Sequence, residues 1–294
     1  MSNFILTQSE KKVNEMTRKK MEAKEVAIKM LETGFKTRYA RMKTCSDYME
    51  LAYCPTCQKY HCISTNLCRD RMCPICQRKL AIKRYQDMCS VFEELNVDEN
   101  RVSFITLTIR NVYGSQLSKA LKNMSEGWNR FARQKIFKIT EGWAKSLEIT
   151  YNKEKRMWHP HLHIIAIWKK GERIPMAYEI KAAWQLACRL NYEVIIDIRD
   201  VYSKDEQKNT THAALEACKY SVKSAKIMNE IDNEEWKKLV IAIGGVRMVS
   251  YGKKIKEARA KLRIKDEDEI EEKEMKCKKC GTSLQKEIYR WAGN

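Results

Sequence analysis

The stretch Trp158-His159-Pro160-His161-Leu162-His163-Ile164-Ile165-Ala166-Ile167-Trp168 restricts what this chain can become more than any other. The protein has five histidines, and three of them stand here at i, i+2 and i+4 in an otherwise apolar and aromatic run. That is the pattern of a buried strand. Side chains along a strand alternate between its faces, so the three imidazoles share one face. Imidazole is the commonest metal ligand, and two rings projecting from a rigid strand can grip a divalent ion while leaving positions open for a substrate oxygen. A half-exposed strand with a polar outer face is the plainer alternative, but patterning alone rarely gathers three of five histidines onto one face.

A second constraint comes from cysteine. The chain has twelve, yet it is long and has no export signal, and six of the twelve stand in CxxC pairs, which indicates reduced thiols and zinc rather than a disulfide scaffold. Cys54-Pro55-Thr56-Cys57 and Cys73-Pro74-Ile75-Cys76 have the spacing of paired zinc knuckles, each turn supplying two thiolates to a tetrahedron. Such a site is worth on the order of 10 kcal/mol of folding free energy to a segment too short to make its own core. Cys45, His61, Cys62 and Cys68 lie close by, so the ligand assignment stays open. Cys277-Lys278-Lys279-Cys280 is half of another site: it folds back to share a second zinc with Cys62 and Cys68, binds zinc in an oligomer, or binds none. Arg69, Arg71, Arg78, Lys79, Lys83 and Arg84 surround the second knuckle and are candidates for phosphate contact, with solvated surface as their ordinary role.

The charge balance agrees with a polyanionic partner. Lys plus Arg total 57 against 38 acidic residues, a formal charge of +19 in 294 residues. Nucleic acid is favoured over membrane, because no segment approaches the length of a transmembrane span and Phe4-Ile5-Leu6 is no signal-peptide core. A hydrophobic content of 44% supports a globular core.

Along the chain the pattern divides into four parts. Residues 1–44 read as a helical arm, with Val13, Met16, Met21, Val26, Met30 and Leu31 on one stripe. Residues 45–95 are the cysteine-rich module and a following helix. Residues 96–263 carry a first strand at Val102 to Ile109 and a helix from Ser115 to Phe137 with Leu117, Leu121, Met124, Trp128 and Phe131 on its apolar face. A strand from Ala144 to Tyr151 then forms an antiparallel hairpin with the histidine strand. A helix at 174–190, a strand at 192–198, a helix at 207–228, a helix at 234–243, an edge strand at 246–251 and a basic helix at 253–262 follow. Residues 264–294 form an acidic linker and the terminal knuckle.

Two further sets of residues carry chemistry. Glu148 interrupts the apolar strand Leu147-Glu148-Ile149 and is either a third, oxygen ligand beside the histidines or a solvent-facing position, depending on strand register. Two imidazoles and a carboxylate with open positions suit catalytic Mg²⁺ or Mn²⁺ better than closed structural zinc. On the helix expected over 207–228, Glu216, Tyr220 and Lys223 are spaced at i, i+4 and i+7 and share a face.

These residues together resemble the rolling-circle plasmid replication initiators, members of the HUH (histidine-hydrophobic-histidine) endonucleases. Phe104-Ile105-Thr106-Leu107-Thr108 is similar to their first strand motif, His159-Pro160-His161-Leu162-His163 to their metal motif, and Glu216, Tyr220 and Lys223 to their nucleophile motif. Cys68-Arg69-Asp70-Arg71-Met72-Cys73-Pro74-Ile75-Cys76 looks like the cysteine signature that precedes the nuclease core in one branch. The resemblance implies an α+β fold in which helices flank a central antiparallel sheet, with the zinc module and helical arm ahead of it. It favours His161 and His163 over His159 and His161 as the ligand pair.

It further implies nicking of one strand at a plasmid origin, a covalent 5′-phosphotyrosine at Tyr220 and a free 3′-hydroxyl that primes synthesis. Glu216 would be the general base of a terminating cleavage, host helicase and polymerase the partners, and the bacterial cytoplasm the location. A phenol with an ordinary pKa near 10 needs help to lose its proton, which a cation and Lys223 could provide. Competing readings are a conjugative relaxase or transposase with the same core, and a non-catalytic zinc-dependent DNA-binding regulator. The motifs leave the oligomeric state open.

Overall fold

The computed structural model describes residues 8–97, 101–200, 223–264, 277 and 280–290. The chain divides into two compact units, residues 79–264 and residues 1–78 together with 265–294. This differs from a serial division into four parts, because the C-terminal knuckle joins the N-terminal module.

In unit 79–264 the core is a five-stranded antiparallel sheet. Strands β3 (Val102–Thr108), β4 (Thr140–Asn152), β5 (Met157–Trp168), β6 (Ile196–Asp200) and β7 (Val249–Lys253) lie in the order β6-β3-β5-β4-β7. The histidine strand β5 is therefore central, and β4 and β5 form the expected hairpin, with Glu148 opposite His161 and Thr150 opposite His159. Alternation along β5 splits its residues cleanly. Trp158, Leu162, Ile164, Ala166 and Trp168 point to one face and are buried; the histidines, Ile165 and Ile167 point to the other.

Helices cover the first face. Helix α4 (Gly114–Phe131) buries Leu117, Leu121, Met124, Trp128 and Phe131, the stripe expected from its period. Trp128 meets Trp143 of β4 edge-on at 4.9 Å and Phe131 meets Trp184 of α6 (Ala177–Cys188) at 5.9 Å. The helix stops short of Phe137: Gln134 adopts an extended conformation and a short helix α5 (Lys135–Lys138) follows, which buries Phe137. On the second face, among the described residues, helix α3 (Pro74–Leu95) and the helix Lys254–Lys261 cover one end. Met88, Val91, Phe92, Ile255 and Ala258 pack there against Val102, Ala144, Ile165 and Ile167. The other end of this face carries the histidines.

Strand β6 begins four residues later than the sequence suggests. The backbone before it is claimed by other partners: Gln185 donates to the Tyr192 carbonyl at 2.8 Å and Thr108 Oγ1 to the Ile195 carbonyl at 2.5 Å. The two short helices Ser224–Met228 and Asn233–Ile243 precede β7, the second named from a side-chain cap in which Asp232 accepts from the Glu235 amide at 2.8 Å. Most of the helix expected over 207–228 lies outside the described residues.

In the other unit, helices α1 (Gln8–Glu32) and α2 (Lys36–Met42) precede a three-stranded sheet, β1 (Tyr48–Cys54), β2 (Lys59–Thr65) and β8 (Gln285–Arg290), ordered β2-β1-β8. Of the expected stripe on α1, Val26 and Met30 are buried, with Ala23 and Ala27 beside them, whereas Met21 and Leu31 are exposed; the side chains of Val13 and Met16 lie outside the described ones. Lys20, itself buried, bonds to the Cys45 carbonyl and to Asp47. Arg38 of α2 forks onto Asp70 at 2.6 and 2.7 Å, and Asp70 also caps the Met72 amide at 2.8 Å. The arm is thus tied to the cysteine signature by its aspartate. The acidic tract from Asp266 to Glu274 lies outside the described residues.

Candidate functional site

The end of the second sheet face away from these helices holds one carboxylate and three imidazoles. Register settles the position of Glu148: it stands directly opposite His161 on the neighbouring strand and on the same face, rather than facing solvent. Its Oε2 lies 3.3 Å from His161 Nε2 and 3.0 Å from His163 Nε2. Glu148, His161 and His163 bring one ligand atom each within 4.8 Å of the others. His159 does not join them. Its Nδ1 bonds to Asn111 Oδ1 at 2.8 Å and its ring stacks on that of His161. Burial, reinforced by His161, pushes the His159 pKa down and keeps that ring neutral.

Hydrogen bonding on the far side of each ring decides what the near side offers. His161 Nδ1 is 3.2 Å from the His159 carbonyl, which can only accept, so the hydrogen of the neutral ring sits on Nδ1 and Nε2 presents a lone pair. His163 Nδ1 lies 3.2 Å from the Thr106 hydroxyl, which accepts from it when Nε2 serves as the ligand atom, and Phe104 stacks on its ring at 5.2 Å. Two lone pairs and a carboxylate oxygen thus point at one place. Such a set is repulsive unless a proton or a cation sits among them, and a divalent ion with carboxylate and imidazole ligands fits it. Burial would push the Glu148 carboxyl up, but where protons rather than a cation occupy the place, hydrogen bonds donated by His161 and His163 Nε2 outweigh burial and hold it well below the usual carboxylate range. Lys223 Nζ lies 3.6 Å from the other oxygen, Glu148 Oε1. Tyr220 and Glu216 lie outside the described residues.

The roles of Thr106 and Asn111 were not singled out in the sequence. Thr106 lay inside the first strand motif, and period-2 alternation puts it on the face of the histidines, which is a usable signal. Asn111 follows the strand in a loop and carries none.

The cysteines group differently from the pairing that spacing suggests. Cys73 and Cys76 meet Cys45 and Cys68, not Cys54 and Cys57, because helix α3 begins at Pro74 and turns the Cys73–Cys76 pair toward the loops before β1 and after β2. Sulfur separations are 3.6 Å for Cys45–Cys76, 3.6 Å for Cys68–Cys76 and 3.7 Å for Cys45–Cys73. A tetrahedron with zinc–sulfur bonds of 2.3 Å has edges of about 3.8 Å. All four are buried. Hydrogen bonds from Cys68 and its neighbours hold the Cys45 thiol low, while the contact with Cys45 pushes Cys68 and Cys73 up. A cation among the four sulfurs would hold all of them as thiolates.

Cys54 and Cys57 meet Cys277 and Cys280. The Cys62 side chain lies outside the described ones, and Cys68 belongs to the first tetrad, so the sharing of zinc between the terminal knuckle and those two residues is replaced by this pairing. Of the basic residues, Arg69, Arg71 and Lys79 are exposed, Arg78 is half-buried, and Lys83 is paired with Asp87 at 3.1 Å. Arg84 is buried and presents no guanidinium to a phosphate, a correction to its expected role. Among the described residues no helix is long and apolar enough to cross a membrane.

Comparison with known proteins follows the same direction. A family profile described as "Replication protein" matches residues 57–294. A "Protein rep" of Streptococcus pneumoniae is 26% identical over 244 residues, 79% of this chain and 75% of its own. A "Protein rep" of Lentilactobacillus hilgardii is 31% identical over 217 residues, 69% of each chain. A "Replication protein" of Staphylococcus aureus is 29% identical over 177 residues, 56% of this chain and 75% of its own. No solved structure matches the chain.

Proposed function

This chain belongs to the replication-protein family of plasmid initiators, and from that premise we propose that it nicks and rejoins one DNA strand at its plasmid origin as an HUH endonuclease with Tyr220 as nucleophile. The observation that carries the reading is the convergence of Glu148, His161 and His163 on one end of a sheet face, with Lys223 reaching the same carboxylate. Three peptide links separate Lys223 from Tyr220, a span of at most about 11 Å, which supports a tyrosine that works at this centre.

Glu148, His161 and His163 would hold Mg²⁺ or Mn²⁺. When bound, the ion would polarise the scissile phosphate and stabilise charge on the leaving 3′-oxygen. The remaining steps belong to the chain. The Tyr220 phenol loses its proton and its oxygen attacks phosphorus; the P–O3′ bond breaks, and the 3′-oxygen takes up a proton and becomes a primer. The 5′-phosphate stays on the tyrosine, so the energy of the phosphodiester is kept and the break can be resealed. The Lys223 ammonium, beside Glu148, favours the phenolate and neutralises phosphate charge. In the terminating round Glu216 takes a proton from water, which avoids a second protein–DNA link. The partners are single-stranded or hairpin origin DNA and, for extension, the host's helicase and polymerase. The buried tetrad of Cys45, Cys68, Cys73 and Cys76 holds zinc and keeps Arg69 and Arg71 on a rigid loop for phosphate contact.

The test is incubation of the protein with Mn²⁺ and a labelled origin hairpin, followed by a denaturing gel and peptide mass mapping. A DNA adduct on the Tyr220 peptide, lost on chelation and in Tyr220→Phe while DNA binding persists, is the expected result. Nicking that survives Tyr220→Phe would overturn the assignment of the nucleophile, and binding without any nick would leave a non-catalytic regulator.

A further inference from the structure

We propose that Cys54, Cys57, Cys277 and Cys280 form a second zinc site, a removable clasp that fastens strand β8 to the N-terminal cysteine module. The four sulfurs lie within 4.8 Å of one another. Cys54 Sγ is 3.5 Å from Cys280 Sγ, and Cys277 Sγ is 3.9 Å from Cys57 Sγ. These bracket the edge of about 3.8 Å that a tetrahedral zinc–thiolate site requires, and they are far longer than the ~2.05 Å of a disulfide. With four sulfur donors and no water position, the set is that of a closed zinc site rather than a catalytic one.

Backbone geometry supports the assignment independently of the sulfur distances. Each CxxC pair is followed by a residue in the left-handed region, Gln58 at φ +50° and Gly281 at φ +71°. The turn after Cys280 uses glycine, which takes this conformation at no cost, whereas Gln58 adopts it against its Cβ. In the first knuckle the Cys57 amide points at Cys54 Sγ from 3.4 Å. In the second, the Gly281 amide bonds back to the Cys277 carbonyl and the Cys277 amide to the Thr282 carbonyl, both at 2.8 Å. Each pair thus ends at a left-handed residue, and the cysteines of the two pairs converge. Thr56 and Thr282, one inside the first knuckle and one just past the second, join their hydroxyls at 2.9 Å.

The clasp explains how β8 can pair with β1. The two strands run antiparallel from Tyr48 opposite Arg290 to Tyr53 opposite Gln285. Closing a loop of more than two hundred residues for six edge pairings is entropically costly, and the cysteines stand at the end of that pairing, where Cys54 follows Tyr53. The two tetrads differ in access. All four ligands of the Cys45 tetrad are buried, whereas here Cys280 is exposed and Cys57 half-buried. A chelator can therefore reach this ion first, and its loss frees β8 while the other tetrad stays filled.

The experiment uses the full chain. Metal analysis should find two zinc ions per chain, and a chromogenic chelator in limiting amount should withdraw one promptly and the other slowly. Hydrogen exchange measured on the same samples should show protection of 285–290 falling as the first ion leaves, with 102–108 and 157–168 unchanged. The double variant Cys277→Ser/Cys280→Ser should hold one ion, and Cys280→His, which keeps a nitrogen ligand, should hold two. If the double variant fails to fold, the chelator series on the unmodified protein decides. One zinc per chain in the unmodified protein, a Cys54–Cys280 disulfide by mass under non-reducing conditions, two ions in the double variant, or exchange at 285–290 indifferent to the first ion would each overturn the proposal.

Discussion

His163 shows how a single hydrogen bond selects the chemistry of a residue. Thr106 takes its Nδ1, so Nε2 is the atom turned toward Glu148. Thr106→Val keeps the shape and removes the hydroxyl; we expect Mn²⁺ affinity to fall roughly 10–100-fold, the usual cost of losing the outer partner of a metal-binding histidine, measured by calorimetry in the absence of DNA. His159 provides the contrast. His161→Gln and His163→Gln should abolish Mn²⁺ binding, whereas His159→Gln should change it only a few-fold, because that ring is committed to Asn111. Which histidines pair was open in the sequence, since three at alternate positions are equivalent by period; loop residue Asn111, which has no pattern of its own, breaks the tie. Lys145 was not legible at all. It lies on the helix-covered face of β4, buried near Trp128, and burial first, with Arg247 adding to it, pushes its pKa down to about 8 from 10.5. The folded state therefore binds fewer protons than the unfolded between those values, so stability rises with pH from about 8 to 10.5, and below 8 the full penalty applies. Lys145→Met should stabilise the protein at pH 7 by about 1–3 kcal/mol, and urea titrations at pH 7 and 9.5 should show the alkaline gain diminished in the variant.

At the scale of elements, local pattern and distant pairing were unequally legible. The β4–β5 hairpin and the apolar stripe of α4 follow from periods of 2 and 3.6 within a few residues, and both stand where the sequence puts them. Strands β1, β2 and β8 do not announce themselves, because half of their ladder is supplied by residues more than two hundred positions away and edge strands around a metal knuckle need little apolar alternation. Close approaches between elements are equally silent. Gly252 of β7 sits against the Trp143 ring, where an added Cβ would stand 2.2 Å from the indole, and that indole is in turn fixed edge-on by Trp128. The ring has no room to yield, so Gly252→Ala should cost about 1–3 kcal/mol, the range for overpacking. Thermal unfolding checks this: a midpoint equal to that of the unmodified protein would mean the β7 edge shifts freely.

For the molecule as a whole, composition points to a polyanion-binding protein, and the fold sorts which charges reach the surface. The excess of 57 basic over 38 acidic residues says nothing of placement. Arg38 is spent on Asp70, Lys20 on Asp47, and Arg84 is buried, whereas Arg69 and Arg71 remain exposed on the loop that the Cys45 tetrad braces. The first and last segments make one unit, a long-range pairing that, like that of β8, no local pattern signals. Electrostatic binding to single-stranded DNA should lose affinity with salt along a log–log slope of about −0.7 per phosphate neutralised. Replacing both Arg69 and Arg71 by Ala should then make the slope shallower by about 1.4 if each contacts one phosphate, with affinity reduced alike for origin and unrelated sequences, since phosphate contacts carry no base information. Arg84→Met, by contrast, should leave the slope unchanged even where it lowers stability. Fluorescence anisotropy across a salt series separates the cases: the same change of slope per charge removed in Arg84→Met as in the double variant would mean that net charge alone, and not the exposed arginines of the cysteine loop, sets the contact with DNA.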